Sequence, residues 1–270
     1  MRTNISEWFR PKNITEAVEI IKSGHAIPYA GGTGLRNGQV HGLIDLRGLN
    51  LDYIREKKNS VAIGACTRFN DISHFHWSDE RRILSQAVGQ AASNPLRNLI
   101  TLGGSLAYRP VWSNIPTALL ALNASIIVTG TDPSEYSVAD FLKVKHSRQF
   151  LITEIVLPPA PGYGFYYRFA RTRFDYSALD LAIYVEIKSG MIDLCRVAVG
   201  NALPVASRLT NIENQLIGMQ LSNPKINEIV SSAEIKPLKN PNFSREFILN
   251  ILKTELVRAF TKIREQDYAN

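Results

Sequence analysis

The sequence predicts an α+β protein of two domains, and three observations lead to that prediction. Apolar runs of strand length alternate with segments of helical spacing along the first 157 residues. The stretch "PPAPGYG" (158–164), with three prolines and two glycines, then interrupts this pattern. Two long apolar runs joined at "KSG" and an amphipathic segment follow it. The predicted domains are 1–157 and 163–270.

The first domain is predicted to open with a helix and two strands. Asn13, followed three residues later by Glu16, is a capping pattern, and Gly24 suits the end of a helix. The segments "HAIPYA" and "GLIDL" predict strands on either side of a glycine-rich loop. The next segment, "LDYIREKKNSVAIGACT", predicts a hairpin with its turn at 57–60.

The remaining elements follow in order along the chain. A helix is predicted at 79–92, and "LRNLITLGGSLAY" (96–108) is predicted to be a strand that runs into a glycine pair. A short helix in "IPTALLALNA" and strands in "SIIVTG" and "QFLITEIVLP" complete the first domain. The second domain is predicted to hold two long strands, 175–202, and a helix within 241–266 whose one face is apolar.

Composition narrows the classes of function. No apolar run reaches the roughly 18 residues of a membrane span, and the N-terminus lacks the apolar core of a signal peptide. Cys66 and Cys195 form no CxxC pair, which favours reduced thiols in the cytoplasm over a single disulfide and speaks against a cysteine-ligated cluster. The net charge of +7 is scattered and not interleaved with aromatics, which favours an anionic ligand or acidic partner over nucleic acid. The "HFH" at 74–76 lacks a third metal ligand.

The stretch "PYAGGTGLRNG" (28–38) carries four glycines, which indicates either a plain turn or a close approach to a ligand. It has no Gly-Lys-Ser/Thr ending, and its glycine spacing misses the dinucleotide fingerprint by one residue, so both standard phosphate motifs fail. A nest of backbone N–H groups that binds an anion remains. The stretch "TLGGS" (101–105) repeats the same chemistry, so the two loops are predicted to hold a pyrophosphate together.

Five motifs in this order resemble a known family. They are "AGGTGL", "LIDL", "IGACT", "LRNLITLGGSLA" and "YRFARTRFDYSALDLA". The chain resembles, over nearly its whole length, the FAD-binding (medium) subunits of molybdenum hydroxylases such as xanthine dehydrogenase and carbon monoxide dehydrogenase. The resemblance implies a two-lobed FAD-binding domain of the vanillyl-alcohol oxidase/PCMH type, with lobes at about 1–55 and 56–157. A small C-terminal domain with an antiparallel sheet and helices is implied after it.

The resemblance also implies cofactor-binding residues in both glycine-rich stretches. In the first, the backbone of Pro28, Tyr29, Ala30, Gly31, Gly32, Thr33, Gly34 and Leu35 aligns with the segment that holds the FAD pyrophosphate. In the second, the aligned residues are Thr101, Leu102, Gly103, Gly104 and Ser105. Three positions depart from the family pattern: Ser105 replaces an Asn, Asn114 replaces an Asp, and Gly34 stands where Asp or Glu is common. The loss of two carboxylates is expected to alter the affinity for FAD, the flavin's electronics or the choice of electron acceptor, without abolishing a grip made mostly by the backbone.

Further residues are implied to lie near the flavin. Arg168 matches a family Lys or Arg position beside the flavin, and either Phe150 or Leu151 falls where an apolar residue packs near the ring. Asp175 is interpreted either as a cofactor residue or as the partner of a neighbouring arginine in an ion pair. Tyr166, Tyr167 and Tyr176 are interpreted as sheet residues, with stacking on the flavin as the alternative.

The function that the resemblance implies is electron transfer within a multi-subunit, xanthine dehydrogenase-like oxidoreductase. A molybdenum (molybdopterin) subunit would supply electrons to an iron–sulfur subunit, and this subunit would pass them to the FAD on this chain. The FAD would then deliver them to NAD or another acceptor. No catalytic residue and no metal ligand are expected here, nor a nucleic-acid or membrane partner, and the expected location is the cytoplasm. The alternatives are a stand-alone FAD-dependent reductase and a non-catalytic assembly subunit that has lost its flavin.

Overall fold

The structure, a computed structural model, describes residues 5–35, 41–130, 134–144 and 150–268. The chain divides into two compact units. Unit 1 comprises Met1–Phe75, Ala92–Pro110 and Asn123–Pro158, and unit 2 comprises His76–Ala91, Val111–Leu122 and Pro159–Asn270. Two segments that precede residue 157 are therefore part of unit 2. The linear division at 157–163 stays a prediction.

The described residues form twelve strands, ten α-helices and one 3₁₀ turn, Arg47–Leu49. The strands are β1 (Glu7–Phe9), β2 (Ala26–Tyr29), β3 (Gly42–Asp45), β4 (Ile54–Lys57), β5 (Ser60–Gly64), β6 (Ser125–Gly130), β7 (Ser134–Ser137), β8 (Phe150–Leu157), β9 (Tyr163–Phe169), β10 (Leu179–Lys188), β11 (Met191–Gly200) and β12 (Ser207–Arg208). The helices are α1 (Ile14–Ser23), α2 (Phe69–His74), α3 (Arg82–Gly89), α4 (Asn94–Arg97), α5 (Leu102–Tyr108), α6 (Ile115–Ala121), α7 (Val138–Lys143), α8 (Thr210–Leu216), α9 (Lys225–Ser231) and α10 (Arg245–Tyr268).

Unit 1 contains a small parallel sheet in the order β1-β3-β2, beside which α1 lies. The helix begins as the capping pattern predicts, because the Asn13 side chain accepts a hydrogen bond from the Glu16 N–H at 2.9 Å. It ends at Gly24, whose φ of 75° is the left-handed conformation that glycine adopts without strain. Ala17 and Ile21 are buried in one core cluster with Ile44 of β3. The predicted helix and both strands are confirmed.

The second sheet of unit 1 is antiparallel, in the order β4-β5-β8-β6-β7. The predicted hairpin is formed by β4 and β5. In the neighbouring strands β5 and β8 of this sheet, Ile63 pairs with Ile155, and both side chains are fully buried. Complete burial of such a side chain stabilises the fold by roughly 1.5–3 kcal/mol. The sheet thus contributes buried apolar side chains to the core of unit 1.

The predicted strand at 96–108 is wrong. Residues 94–97 and 102–108 are helical, and only an isolated bridge between Arg68 and Thr101 retains sheet-like pairing. Thr101 has extended φ and ψ, and its side-chain oxygen accepts from the Gly104 N–H at 3.2 Å, so it acts as the N-cap of α5. The second glycine pair therefore lies inside the first turn of a helix rather than in a loop after a strand.

Unit 2 is built on an antiparallel sheet in the order β12-β11-β10-β9. The two predicted long strands, β10 and β11, are confirmed, and Ser189 and Gly190 between them have φ values of 51° and 74°. One face of the sheet is apolar and packs against the C-terminal helices. Leu181 and Val197 from this face share a core cluster with Leu256 of α10, all with no exposed surface. The predicted helix at 241–266 is confirmed as α10.

The opposite face of this sheet is polar, because the residues that alternate with the apolar set include Tyr166, Arg168, Asp180, Tyr184 and Arg196. Helix α6 contacts β10 and β11. Arg196 reaches the carbonyl of Ala121 at the end of α6 with its Nη1, at 3.4 Å. The two faces of one sheet thus differ in chemistry.

Within the described ranges, no helix combines the length and the hydropathy needed to cross a bilayer.

Candidate functional site

The first glycine segment, defined as residues 28–35, runs from the end of β2 into a tight turn. The Leu35 N–H donates to the Gly32 carbonyl at 3.3 Å, and Gly32 has a φ of 72°. A Cβ on Gly31 would lie 1.6 Å from the carbonyl oxygen of Leu99, so any side chain there would collide with backbone. Gly31 therefore serves close packing, and Gly32 serves the turn. Gly38, from the same glycine-rich stretch, lies outside the described residues.

The N–H groups of this segment are its most distinctive feature. None of the hydrogen bonds among the described residues uses the N–H of Gly31, Gly32, Thr33 or Gly34. Thr33 is exposed, and the three glycines are partly exposed, so ligand oxygens can reach this backbone. Successive unpaired N–H groups beside a residue at positive φ form the kind of concave donor set that binds an anion.

The preceding Tyr29 is fixed by its neighbours. Its ring packs edge-on against Trp8 with centroids 5.0 Å apart, and the Arg47 guanidinium lies 5.6 Å from its centroid. Arg47 in turn forms a bidentate pair with Asp45, at 2.8 and 2.6 Å, and this hydrogen bonding lowers the pKa of the Asp45 carboxyl. The Leu46 N–H donates to the Tyr29 carbonyl at 2.9 Å. Contacts with these neighbours thus fix the position of Tyr29 near the start of the first glycine segment.

The second glycine segment, defined as residues 101–105, uses its donors internally. The Leu102 N–H donates to Thr67 at 2.9 Å, and the Gly103 N–H donates to Ala65 at 2.8 Å. The Gly104 N–H donates to the hydroxyl oxygen of Thr101, and the Ser105 N–H donates to the Thr101 carbonyl. The prediction that this segment forms a second nest is therefore wrong, because all four N–H groups already have acceptors.

The glycine pair of the second segment has a packing reason instead. A Cβ on Gly103 would stand 2.5 Å from the Cβ of Ala65, so helix α5 can approach β5 and the residues after it only with glycine there. Gly104 is exposed, and Ser105 is partly exposed. Of the five predicted residues in this segment, these two keep surface on which a cofactor contact can form, and their role stays a prediction.

Phe150 and Leu151 begin β8, and the structure separates their roles. Leu151 is 3% exposed and belongs to the core cluster of unit 1 that includes Val18 of α1. Phe150 is partly exposed and packs edge-on against Phe141 at 5.9 Å. Of the two alternatives for an apolar residue beside the flavin, Leu151 is thus a core residue, and Phe150 keeps the free surface that such a contact needs.

The other two predicted cofactor residues lie in unit 2. Asn114, 3% exposed, immediately precedes α6, and its Nδ2 is buried without a hydrogen-bond partner among the described residues. Arg168 stands on β9 and donates to the carbonyls of Asp175 and, at 3.5 Å, Arg173. Its guanidinium therefore also holds the loop between β9 and β10, a role that the sequence did not indicate. Its Nε is buried and has no hydrogen-bond partner within the part of the chain that the structure describes.

Two neighbouring residues of this loop, Asp175 and Tyr176, make contacts within the chain. Asp175 pairs with Arg171 at 3.0 Å, which confirms the ion-pair interpretation, and that hydrogen bond lowers the pKa of the Asp175 carboxyl. Tyr176 is 69% exposed and stacks on Trp112 with centroids 4.5 Å apart. Tyr166 and Tyr167 lie within β9, as predicted, but the prediction that Tyr176 is a sheet residue is wrong, because it lies in the loop after β9 and is exposed at the surface.

Sequence reasoning missed a buried polar group on the sheet of unit 2. Asp180 has no exposed surface, its Oδ1 accepts from the Ser177 hydroxyl at 2.6 Å, and its Oδ2 accepts from Asn201 Nδ2 at 2.7 Å. Burial raises the pKa of the Asp180 carboxyl to about 7, against the opposing hydrogen bond from Ser177 and the charge of Arg168. A carboxylate within the apolar run "ALDLAIYV" was the available signal.

No metal site accompanies these residues in the described part of the chain, where no three His, Cys, Asp or Glu residues come together as ligands. His74 is held instead at the end of α2, with its Nδ1 2.8 Å from the carbonyl of Asn70. Cys66 and Cys195 are both free thiols, and both are buried. Burial raises the pKa of Cys66 to about 12, which leaves it inert as a nucleophile.

Two known protein families match consecutive parts of this chain. Residues 3–160 match the family described as the FAD binding domain in molybdopterin dehydrogenase. The chain belongs to this family. Residues 164–263 match the CO dehydrogenase flavoprotein C-terminal domain. The chain is thus a flavoprotein subunit of the molybdenum hydroxylase type, an oxidoreductase whose cofactor is FAD.

Individual relatives cover nearly all of the chain. The glyceraldehyde dehydrogenase medium chain of Sulfolobus acidocaldarius is 27% identical, with 95% of this chain and 97% of that one covered. The carbon monoxide dehydrogenase medium chain of Hydrogenophaga pseudoflava is 25% identical over 84% of this chain and 85% of its own length. The crystal structure of quinoline 2-oxidoreductase from Pseudomonas putida 86 matches with a TM-score of 0.87 at 20% identity, covering 98% and 99% of the two chains. This last similarity confirms the predicted fold class.

The first glycine segment fits the diphosphate of FAD. A diphosphate offers only acceptor oxygens, and unpaired backbone N–H groups are donors that need no side chain near the ligand. Gly32 and Gly34 are partly exposed, so phosphate oxygens can reach this backbone, and the Cβ that each lacks would instead crowd the rings of Tyr29 and Tyr108. Gly34, at the position where the family often has an acid, therefore costs the site no N–H donor.

Proposed function

We propose that this chain is the electron-transfer subunit of a molybdenum hydroxylase and that the N–H groups of Gly31–Gly34 hold the FAD diphosphate. The observation that carries the proposal is the contrast in donors: these four N–H groups are unused among the described residues, whereas those of residues 102–105 are taken. FAD, when bound, supplies the chemistry of accepting and passing on electrons. The protein's part is to bind, orient and tune it.

Several side chains would assist that backbone grip. The exposed Thr33 hydroxyl adds a donor at the turn, and the partly exposed Phe150 offers an apolar surface for the flavin ring. In unit 2 we add Asn114 and Arg168, whose buried nitrogen atoms Nδ2 and Nε have no hydrogen-bond partner within 3.5 Å among the described residues. A cation such as Arg168 beside the ring would favour reduced, anionic flavin.

The partners we propose are an iron–sulfur subunit and a molybdenum (molybdopterin) subunit, with NAD or another acceptor as the destination of the electrons. The relatives named as medium chains of glyceraldehyde dehydrogenase and carbon monoxide dehydrogenase support a multi-subunit complex. The two free, buried thiols are compatible with a reducing cytoplasm, which is the location we propose. Co-purification of the three subunits from the native cell, and reduction of NAD by that complex, tests this part.

The site itself is tested by two matched glycine variants. Gly32→Ala places a Cβ 2.9 Å from the Tyr29 ring at a positive φ and should distort the turn that presents the donors. Gly24→Ala has almost the same φ, 75°, but no atom within 4 Å, so it carries the backbone strain alone. We expect Gly32→Ala to weaken FAD binding by at least about tenfold in a fluorescence titration, while Gly24→Ala leaves it unchanged.

Equal FAD affinity in the two variants would place the diphosphate elsewhere. A folded wild-type chain that binds no FAD would instead support the assembly-subunit alternative. A chain that is purified alone and oxidises a small substrate with NAD unaided would support the stand-alone reductase.

A further inference from the structure

The ring of Tyr108 lies against the last glycine of the first glycine segment. A Cβ on Gly34 would stand 3.2 Å from Cγ of Tyr108 and 3.4 Å from its Cβ and Cδ2. Both residues are partly exposed, and both belong to unit 1. The tyrosine side chain therefore occupies much of the space that a side chain at position 34 would need, and it borders the N–H donors of Gly31–Gly34.

The residue that follows Tyr108 holds its backbone in place. Arg109 ends α5 with a φ of 45°, and its Nη1 donates to the Val144 carbonyl at 2.6 Å. The Arg109 guanidinium also lies 4.3 Å from the centre of the Phe141 ring. Because these contacts connect the end of α5 to α7 and the residue after it, the position of Tyr108 is set before any ligand binds.

The same contacts lead from Tyr108 to Phe150. Phe141 is buried and packs edge-on against Phe150, with ring centroids 5.9 Å apart. Gly34, Tyr108, Arg109, Phe141 and Phe150 are thus successive neighbours, all within unit 1. In this series Tyr108 comes between the segment to which we assign the FAD diphosphate and the ring to which we assign the flavin.

We propose that Tyr108 is a specificity-determining residue of the FAD site, whose ring forms the wall against which the ribityl–flavin half of FAD packs. The inference rests on the proposed function, in which Gly31–Gly34 hold the diphosphate and Phe150 faces the flavin. It adds a residue that neither the glycine motifs nor the family resemblance indicated. It also gives Gly34 a second role, because the missing side chain at that position leaves room for the ring.

The first test is the affinity for FAD of the full flavin-free chain, measured by isothermal titration calorimetry. We expect Tyr108→Ala to weaken FAD binding at least about tenfold, because the aromatic surface is lost, and Tyr108→Phe to bind FAD as the wild type does. ADP has the diphosphate but not the flavin half, so its dissociation constant, measured by competition with FAD, should be the same in all three proteins.

The matched control for the ring is Tyr136→Ala. Tyr136 is also a partly exposed tyrosine of unit 1, and its ring packs edge-on against Phe141 at 6.2 Å. Its removal should leave the affinities for FAD and for ADP unchanged. Chemical denaturation of each flavin-free variant measures stability separately from affinity.

The second test moves the Tyr108 ring without removing it. Gly34→Ala keeps the N–H of residue 34, and its Cβ forces the ring to shift by a few tenths of an ångström. We expect FAD binding to weaken about threefold in Gly34→Ala. Adding Gly34→Ala to Tyr108→Ala should cause no further loss, because the contact that it disturbs is already absent. Gly48→Ala, which meets no atom within 4 Å, is the control.

The comparison of Gly34→Ala with Gly48→Ala carries the test should Tyr108→Ala fail to fold. Unchanged FAD affinity in a folded Tyr108→Ala, or an equal loss for FAD and ADP, overturns this inference and leaves the proposed FAD site in place. A Gly34→Ala loss that adds in full to the loss in Tyr108→Ala does the same. A folded wild type that binds no FAD, or binds it without competition from ADP at millimolar concentration, overturns the proposed function and this inference with it.

Discussion

The two glycine segments of unit 1 have similar sequences and opposite structures. In 28–35 the glycines form a turn whose N–H groups remain unpaired among the described residues, and in 101–105 they form the first turn of a helix whose N–H groups are all bonded. The difference arises from Thr101, which caps α5, and from Ala65, which accepts the Gly103 N–H. Glycine clusters therefore indicate close approach, but only the hydrogen bonds around them tell whether the approaching partner is a ligand or the protein itself.

The largest effect is expected at Gly31, where the Cβ of Gly31→Ala would lie 1.6 Å from the Leu99 carbonyl oxygen. Backbone must move, and we expect the free energy of unfolding to fall by about 3 kcal/mol with FAD binding lost as well. Gly48→Ala, in the same unit, meets nothing within 4 Å and should be nearly neutral. Chemical denaturation measures both variants, and equal stability of the two would show that the segment is not packed as described.

A smaller effect is expected at Gly103, where the Cβ of Gly103→Ala would crowd the side chain of Ala65 at 2.5 Å. We expect a loss of about 2 kcal/mol, with FAD affinity unchanged in the molecules that remain folded, because this segment offers no N–H donor. The double variant Gly103→Ala/Ala65→Gly should recover part of that loss. If Gly103→Ala weakens FAD binding without lowering stability, the second glycine segment contacts the ligand and the contrast between the two segments does not hold.

The smallest effect is expected from Thr101→Val, which removes the cap of α5 while keeping the shape of the side chain. The expected cost is about 1 kcal/mol in the free energy of unfolding, and Thr101→Ser should restore most of it. FAD affinity should be the same in both variants. If Thr101→Val instead releases the Gly104 N–H for the ligand and tightens FAD binding, the internal hydrogen bond is what keeps this segment from acting as a nest.

Most elements of the fold could be predicted because local signals and tertiary packing agree. The helix that begins after Asn13 has both its cap and its apolar stripe in the sequence, and it forms as predicted. The segment 96–108 could not be predicted, since a seven-residue helix with two glycines has poor intrinsic propensity and depends on the contact of Gly103 with Ala65. Its apolar residues also match a strand as well as a short helix.

The candidate site shows the same limit. The turn at Gly32 could be predicted from composition, because few other residues tolerate its φ. Asp180 and Asn201 lie 21 residues apart in sequence and meet only because β10 pairs with β11, so no local pattern connects them. Arg168 matched a family position, but its bonds to the carbonyls of the following loop are visible only in the structure.

The most direct test of the central claim is amide hydrogen exchange of the two segments, with and without FAD. Without FAD, the amides of 102–105 should be protected by their internal hydrogen bonds, and those of 31–34 should exchange rapidly. Addition of FAD should slow exchange at 31–34 and leave 102–105 unchanged. Protection gained at 102–105 with none at 31–34 would contradict the account, because the diphosphate would then lie on the segment whose donors the structure shows to be occupied.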